Sequence, residues 1–133
     1  MIGSWDYLVA WLRAFLFTQA VEVPVYMLLG AFASRAPRSP ITFASAITAS
    51  AITHPAVWFV FPTIGIHVGL TFNMMVVTAE LFAWLTEALF LITVVKVRPV
   101  SALLISLAAN AASVLLGEAS REVTFRACGM SYP

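Results

Sequence analysis

Charge is scarce in this chain: only 10% of its 133 residues are Asp, Glu, Lys or Arg, and the formal net charge is +1. With 62% hydrophobic residues and a mean hydropathy of +0.97, there is too little polar side chain to cover a water-exposed surface. No Lys/Arg-rich run occurs, which excludes a nucleic-acid footprint and a polybasic membrane-surface patch. Cysteine is nearly absent as well. Cys128 has no partner for an internal disulfide, sits too far from the end for prenylation and lacks the neighbours of a lipoprotein processing site. A removable leader is also missing from the opening stretch MIGSWDYLVAWLRAFLF. It carries Asp6 in place of basic residues and runs on through Arg13 without a small-residue cleavage site, so the first apolar segment is expected to stay in the mature protein.

What is present is long apolar runs. Windows of about 19 residues give four spans, at about 7–33, 41–61, 68–95 and 100–117, separated by SRAPRSP (34–40), PTIGIHVG (62–69) and KVRP (96–99). Links this short require consecutive helices to be antiparallel neighbours. The expected fold is therefore all-α, an integral membrane four-helix up-down bundle in a single domain, with the lipid bilayer as its surroundings. Arg35, Arg38, Lys96 and Arg98 lie in the first and third links, which the positive-inside rule assigns to the cytoplasm, leaving both termini outside. Residues 118–133 then read as a short external tail. The small-residue runs ASAITASA (44–51) and SLAANAAS (106–113) predict close contact between spans two and four, within one protomer or between two.

Against this apolar background the polar residues fall at one depth. At about 1.5 Å per residue, Glu22, His54, Glu80, Glu87 and Asn110 all lie within about 10 Å of the midplane. Helical spacing gathers them into stripes: Thr18, Gln19, Glu22 and Tyr26; Ser50, His54 and Trp58; Asn73, Glu80, Trp84 and Glu87; Ser106, Asn110, Ser113 and Gly117. The third span holds roughly fourteen strongly apolar residues worth about 0.3–0.6 kcal/mol each, against roughly 2.5–3.5 kcal/mol for each acidic residue near a helix centre. The two sums nearly cancel, so Glu80 and Glu87 are expected to face inward. Pro55, in THPAVW, removes the donor to the Ala51 carbonyl and predicts a kink beside the polar level, with Thr53 or His54 able to satisfy that carbonyl. Pro24 does the same for the Ala20 carbonyl, close to Glu22.

Three functional readings follow. Carboxylates sharing a low-dielectric interior can exchange protons or hold a cation, which suits proton- or cation-coupled transport with Glu22 and Glu80 as exchanging groups, Glu87 as a cytoplasmic step and His54 as relay. Gln19, Thr53, Ser106 and Ser113 support that site. A bundle so slim implies a homo-oligomer or a larger membrane complex, and an accessory or scaffolding subunit of such a complex is the second reading. The third is an intramembrane metal- or glutamate-dependent hydrolase. No HExxH or ExxH pair occurs on one helix, so the sequence leans away from an enzyme. No cofactor is expected; a metal or a tetrapyrrole at His54 is the alternative, with Ser50 one turn before it making room. In a purely structural reading, Glu22, His54, Glu80, Glu87 and Asn110 form a buried hydrogen-bonded lock that fixes helix register.

The arrangement is similar in one respect to the small multidrug resistance transporters, which have four short spans and an embedded glutamate in the first. Only Glu22 carries that likeness, and the stripes of the other spans depart from the pattern. The stretches VEVPVYMLL, ITHPAVWFVFP, TAELFAWLTEALF and SLAANAASVLLG resemble uncharacterised small four-span integral membrane proteins of prokaryotes. That resemblance, covering about 20–117, implies the fold and no activity.

Overall fold

The computed structural model describes residues 4–33 and 41–127, with side chains described up to residue 120. Its helices are α1 (Ser4–Ala33), α2 (Phe43–Pro55), α3 (Phe61–His67), α4 (Phe72–Thr93) and α5 (Pro99–Ala127), with a single π-helical turn, Ala56–Val60, joining α2 to α3. Because α2, the π turn and α3 form one continuous rod, four helices are long and apolar enough to cross a membrane: Trp5–Phe32, Phe43–His67, Phe72–Thr93 and Pro99–Ser120. Their outward residues are those a lipid solvent demands, with Phe32, Ile66, Phe72 and Leu115 among the most exposed. The chain is an all-α bundle of a multi-pass membrane type.

Local chemistry explains the boundaries. Thr42 caps α2, its hydroxyl accepting from the Ser45 N–H at 3.2 Å while the Ser45 hydroxyl accepts from the Thr42 N–H at 2.8 Å. Thr71 caps α4 through the Met74 N–H at 3.3 Å. At the far end of α3, Gly69 takes φ +72°, and the N–H groups of Gly69 and Leu70 return to the carbonyls of Ile66 and Gly65 at 3.3 and 2.9 Å. This left-handed glycine closes the helix. The chain therefore turns at 68–71; Pro62 and Gly65, expected to break the second span from residue 62, lie inside it. His67, expected in a loop, is the last residue of α3, its Nδ1 2.7 Å from the Thr63 carbonyl. Likewise α5 continues as helix through Ala127, past the expected end of span four at residue 117, because EASREVTFRA contains neither proline nor glycine to stop it. Arg35, Arg38 and Cys128 lie outside the described residues.

The bundle is a closed ring: α1 packs on α2 and α5, and α4 packs on α2 and α5. Spans two and four therefore sit diagonally, which corrects the expectation that their small residues meet within the protomer. Ala46, Ala49, Ala102 and Ala109 are fully buried, on helices whose neighbours in the ring are α1 and α4. Small side chains on one diagonal let the other two helices close in.

The two halves of the ring differ. Around the links between spans one and two and between α4 and α5, Val23, Tyr26, Ile41, Leu91, Val97 and Ile105 form a packed core. The half that holds the start of α1 and the α3–α4 turn is open along its axis. Pro24 and Pro55 were expected to disrupt the backbone: α1 runs unbroken through Pro24, whereas α2 gives way to the π turn directly after Pro55. Pro62 has no N–H for the carbonyl of Trp58, four residues earlier, and the Tyr7 hydroxyl of α1 takes that carbonyl at 2.6 Å. Tyr7→Phe is accordingly expected to cost about 1–3 kcal/mol, the penalty of an unsatisfied carbonyl, measurable as a lower midpoint for unfolding in mixed micelles.

Candidate functional site

A cleft of about 580 Å³ occupies the open half. Its mouth lies at the level of Tyr7, Pro62, Phe72 and Glu118, its walls are mostly apolar (Phe17, Val57, Trp58, Phe61, Met75, Val76), and Glu22, Ser50, Thr53, Glu87, Asn110 and Ser113 lie at its floor. Glu80 and His54 line it above that floor. The structure thus brings all five polar residues marked in the sequence to one cavity, although each is held differently.

Glu87, on α4, is 1% exposed and is tied to every other span. Tyr26 of α1 donates its hydroxyl to Oε2 at 2.5 Å, Thr53 of α2 donates to Oε1 at 2.8 Å, and Asn110 of α5 donates Nδ2 to Oε2 at 2.5 Å. Ser106, with its hydroxyl 3.3 Å from the same oxygen, donates to the Trp84 carbonyl at 2.9 Å. Trp84 returns the contact, its indole N–H reaching the Leu103 carbonyl at 2.8 Å. Each hydrogen bond to a carboxylate contributes on the order of 1.5–3 kcal/mol, so this network joins four helices through one side chain.

Glu22, on α1, is 2% exposed and only half satisfied. Ser113 donates to its Oε1 at 2.7 Å, whereas Oε2 is buried with no hydrogen-bond partner. Glu80 is half-buried on the wall, and among the described residues no side-chain hydrogen bond to it is found. The charged groups that bear on Glu22 and Glu80 are other carboxylates: Glu87 and Glu80 for the first, Glu87 for the second. No cation among the described residues faces them.

His54 stands among aromatic rings. It stacks on Trp58 at 6.1 Å between centroids and meets Phe15 edge-on at 5.2 Å, while its Nδ1 is buried without a partner. No hydrogen bond links it to a glutamate. Both polar atoms of the Gln19 side chain are also buried and unpartnered. Thr53 lies 3.0 Å from the Ser50 carbonyl, next to the Ala51 carbonyl it was expected to serve, because its hydroxyl is drawn across to Glu87. Asn73, placed in the third stripe by spacing, is exposed and outside the cleft; it begins α4, where the stripe has already run past the mouth. Tyr26 was grouped with Glu22 by spacing, yet its fully buried hydroxyl serves Glu87.

Among the described residues no three His, Cys, Asp or Glu side chains converge as metal ligands. The donor set of the floor is instead carboxylate, hydroxyl and amide oxygen.

Removing one donor from Glu87 leaves a buried carboxylate under-solvated. Tyr26→Phe is expected to lower stability by about 1–3 kcal/mol, whereas Glu80→Gln stays within about 0.5 kcal/mol of the parent; unfolding in mixed micelles compares the two.

Compared with protein-family models, with curated proteins and with solved structures, the chain finds no match, so the reading of this site rests on its own geometry.

Proposed function

We propose that this chain moves protons or small cations across a membrane, with Glu22 and Glu80 as the exchanging carboxylates. The observation that carries the reading is a cleft running from one end of the bundle to its middle, bearing carboxylates that no cation among the described residues neutralises. A register lock needs its polar groups paired with one another, as Glu87 is. It does not need a buried carboxylate oxygen left without a partner, as in Glu22, or an unbonded one on a cavity wall.

The division of labour follows from the hydrogen bonds. Glu80 stands between the mouth and the floor, Glu22 is the acceptor at the floor, and Glu87 closes the floor beneath. His54, nearer the mouth, serves as a relay. Passage beyond Glu87 requires its bonds to Tyr26, Thr53 and Asn110 to rearrange, since the half below is packed by Leu91, Ile105 and Val23. By the charges of the links, the mouth faces outward and the packed half faces the cytoplasm. A second copy of the chain, or a larger membrane complex, would supply the bulk that four slim helices lack.

The test is flux in liposomes. Under an imposed pH gradient, a pH-sensitive dye trapped inside is expected to report transfer that falls about tenfold or more in Glu22→Gln and in Glu80→Gln, with both variants inserting as the parent does. Equal flux in parent and variants, or none above protein-free liposomes, would remove the reading.

A further inference from the structure

The floor of the cleft has a feature that proton exchange alone does not use: several oxygen-bearing side chains line it together with Glu22. Ser113 lies 2.7 Å from Glu22 Oε1 and 2.9 Å from the Asn110 main-chain carbonyl, so these oxygens share one turn of α5. Ser50, 1% exposed on α2, lines the same cleft as Glu22. The amide of Asn110 has its orientation set by two acceptors, since Nδ2 reaches Glu87 Oε2 at 2.5 Å and the Ser106 carbonyl at 3.0 Å. Its side-chain oxygen is therefore the end left to the cleft, which Asn110 lines. Glu22 Oε2, the one buried carboxylate oxygen without a partner among the described residues, belongs to the same floor.

We infer that Glu22, Ser50, Asn110 and Ser113 form a site for a monovalent metal cation at the floor of the cleft. Hard oxygen donors without sulfur or imidazole select alkali and alkaline-earth ions over transition metals. Charge then decides between the two. Glu22 has an oxygen to give, while Glu87 has both oxygens engaged by Tyr26, Thr53 and Asn110. One available negative charge surrounded by neutral oxygens balances a single positive charge. A divalent ion calls for more carboxylates, and among the described residues no such group converges. The cation would sit against the charge of Glu22, which a low-dielectric interior leaves poorly screened. Water in the cleft completes the coordination and provides the way in.

This inference rests on the proposed carrier reading for its purpose, as the ion whose binding is coupled to transport, but not for its test. Thermal unfolding of the full chain, purified in neutral detergent with a divalent chelator, is followed in LiCl, NaCl, KCl and choline chloride at equal ionic strength. One alkali cation is expected to raise the midpoint saturably, by about 3 °C or more, relative to choline. The rise should vanish in Glu22→Gln, shrink in Ser113→Ala and Ser50→Ala, and persist in Glu80→Gln. Should Glu22→Gln fail to fold, the two serine variants still decide the matter. Equal midpoints in all four salts, a larger rise with magnesium or calcium when the chelator is left out, or a rise undiminished in the serine variants would each overturn the site. Alkali stabilisation in a protein that passes neither protons nor that alkali ion would sink the carrier and leave the site standing. Proton flux in a protein indifferent to all four salts would do the reverse.

Discussion

The structure depends on how one carboxylate is solvated by protein. Glu87 is 1% exposed on a helix whose outer face is apolar, and a bare carboxylate there would offset about half of the apolar transfer energy of its span. Its two oxygens are met by Tyr26, Thr53 and Asn110, one from each of the other three spans. Because the donors come from different helices, satisfying Glu87 also sets the rotation and depth of all four. Lipid supplies little hydrophobic drive for helices to associate, and directed polar contacts of this kind take its place.

The same constraint splits the bundle. On the link side of Glu87, alanines and mid-sized aliphatics allow close approach, and the core is dense. On the other side, the helix faces carry Glu80, His54 and bulky rings, and the axis stays open. The second span is adapted to that open half. A π turn follows Pro55, the carbonyl that Pro62 cannot serve is taken by Tyr7, and Gly65 lies so close to Met75 that a Cβ would stand 2.8 Å from its sulfur. Proline therefore ends up shaping the wall of the cleft without ending the span.

Three glutamates in one cavity have three different roles, separated by their hydrogen bonds alone. Glu87 is saturated, Glu22 is half satisfied, and Glu80 has no side-chain bond among the described residues. A group already bonded on both oxygens is poorly suited to take up and release a charge, while one with a vacant oxygen beside hydroxyl and amide neighbours is well suited to it. The transport reading and the cation site both follow from that gradation.

Composition and hydropathy determined the class, the number of spans and the level of the polar residues, since lipid admits only segments that satisfy their own backbone. Thr42, Thr71 and Gly69 mark helix ends by chemistry that is legible in a linear chain. The order of neighbours was not legible. Small-residue runs show which faces pack closely but not against which helix, so the contact of spans two and four expected within one protomer gives way to a diagonal placement. The true end of span two could not be read, because proline inside a membrane helix is tolerated once another helix supplies the missing donor, as Tyr7 does. Spacing showed that Glu22, Glu80 and Glu87 point inward. Which oxygen is bonded and which is not was decided by the tertiary structure, because the donors reach Glu87 from helices that sequence spacing cannot orient toward one another.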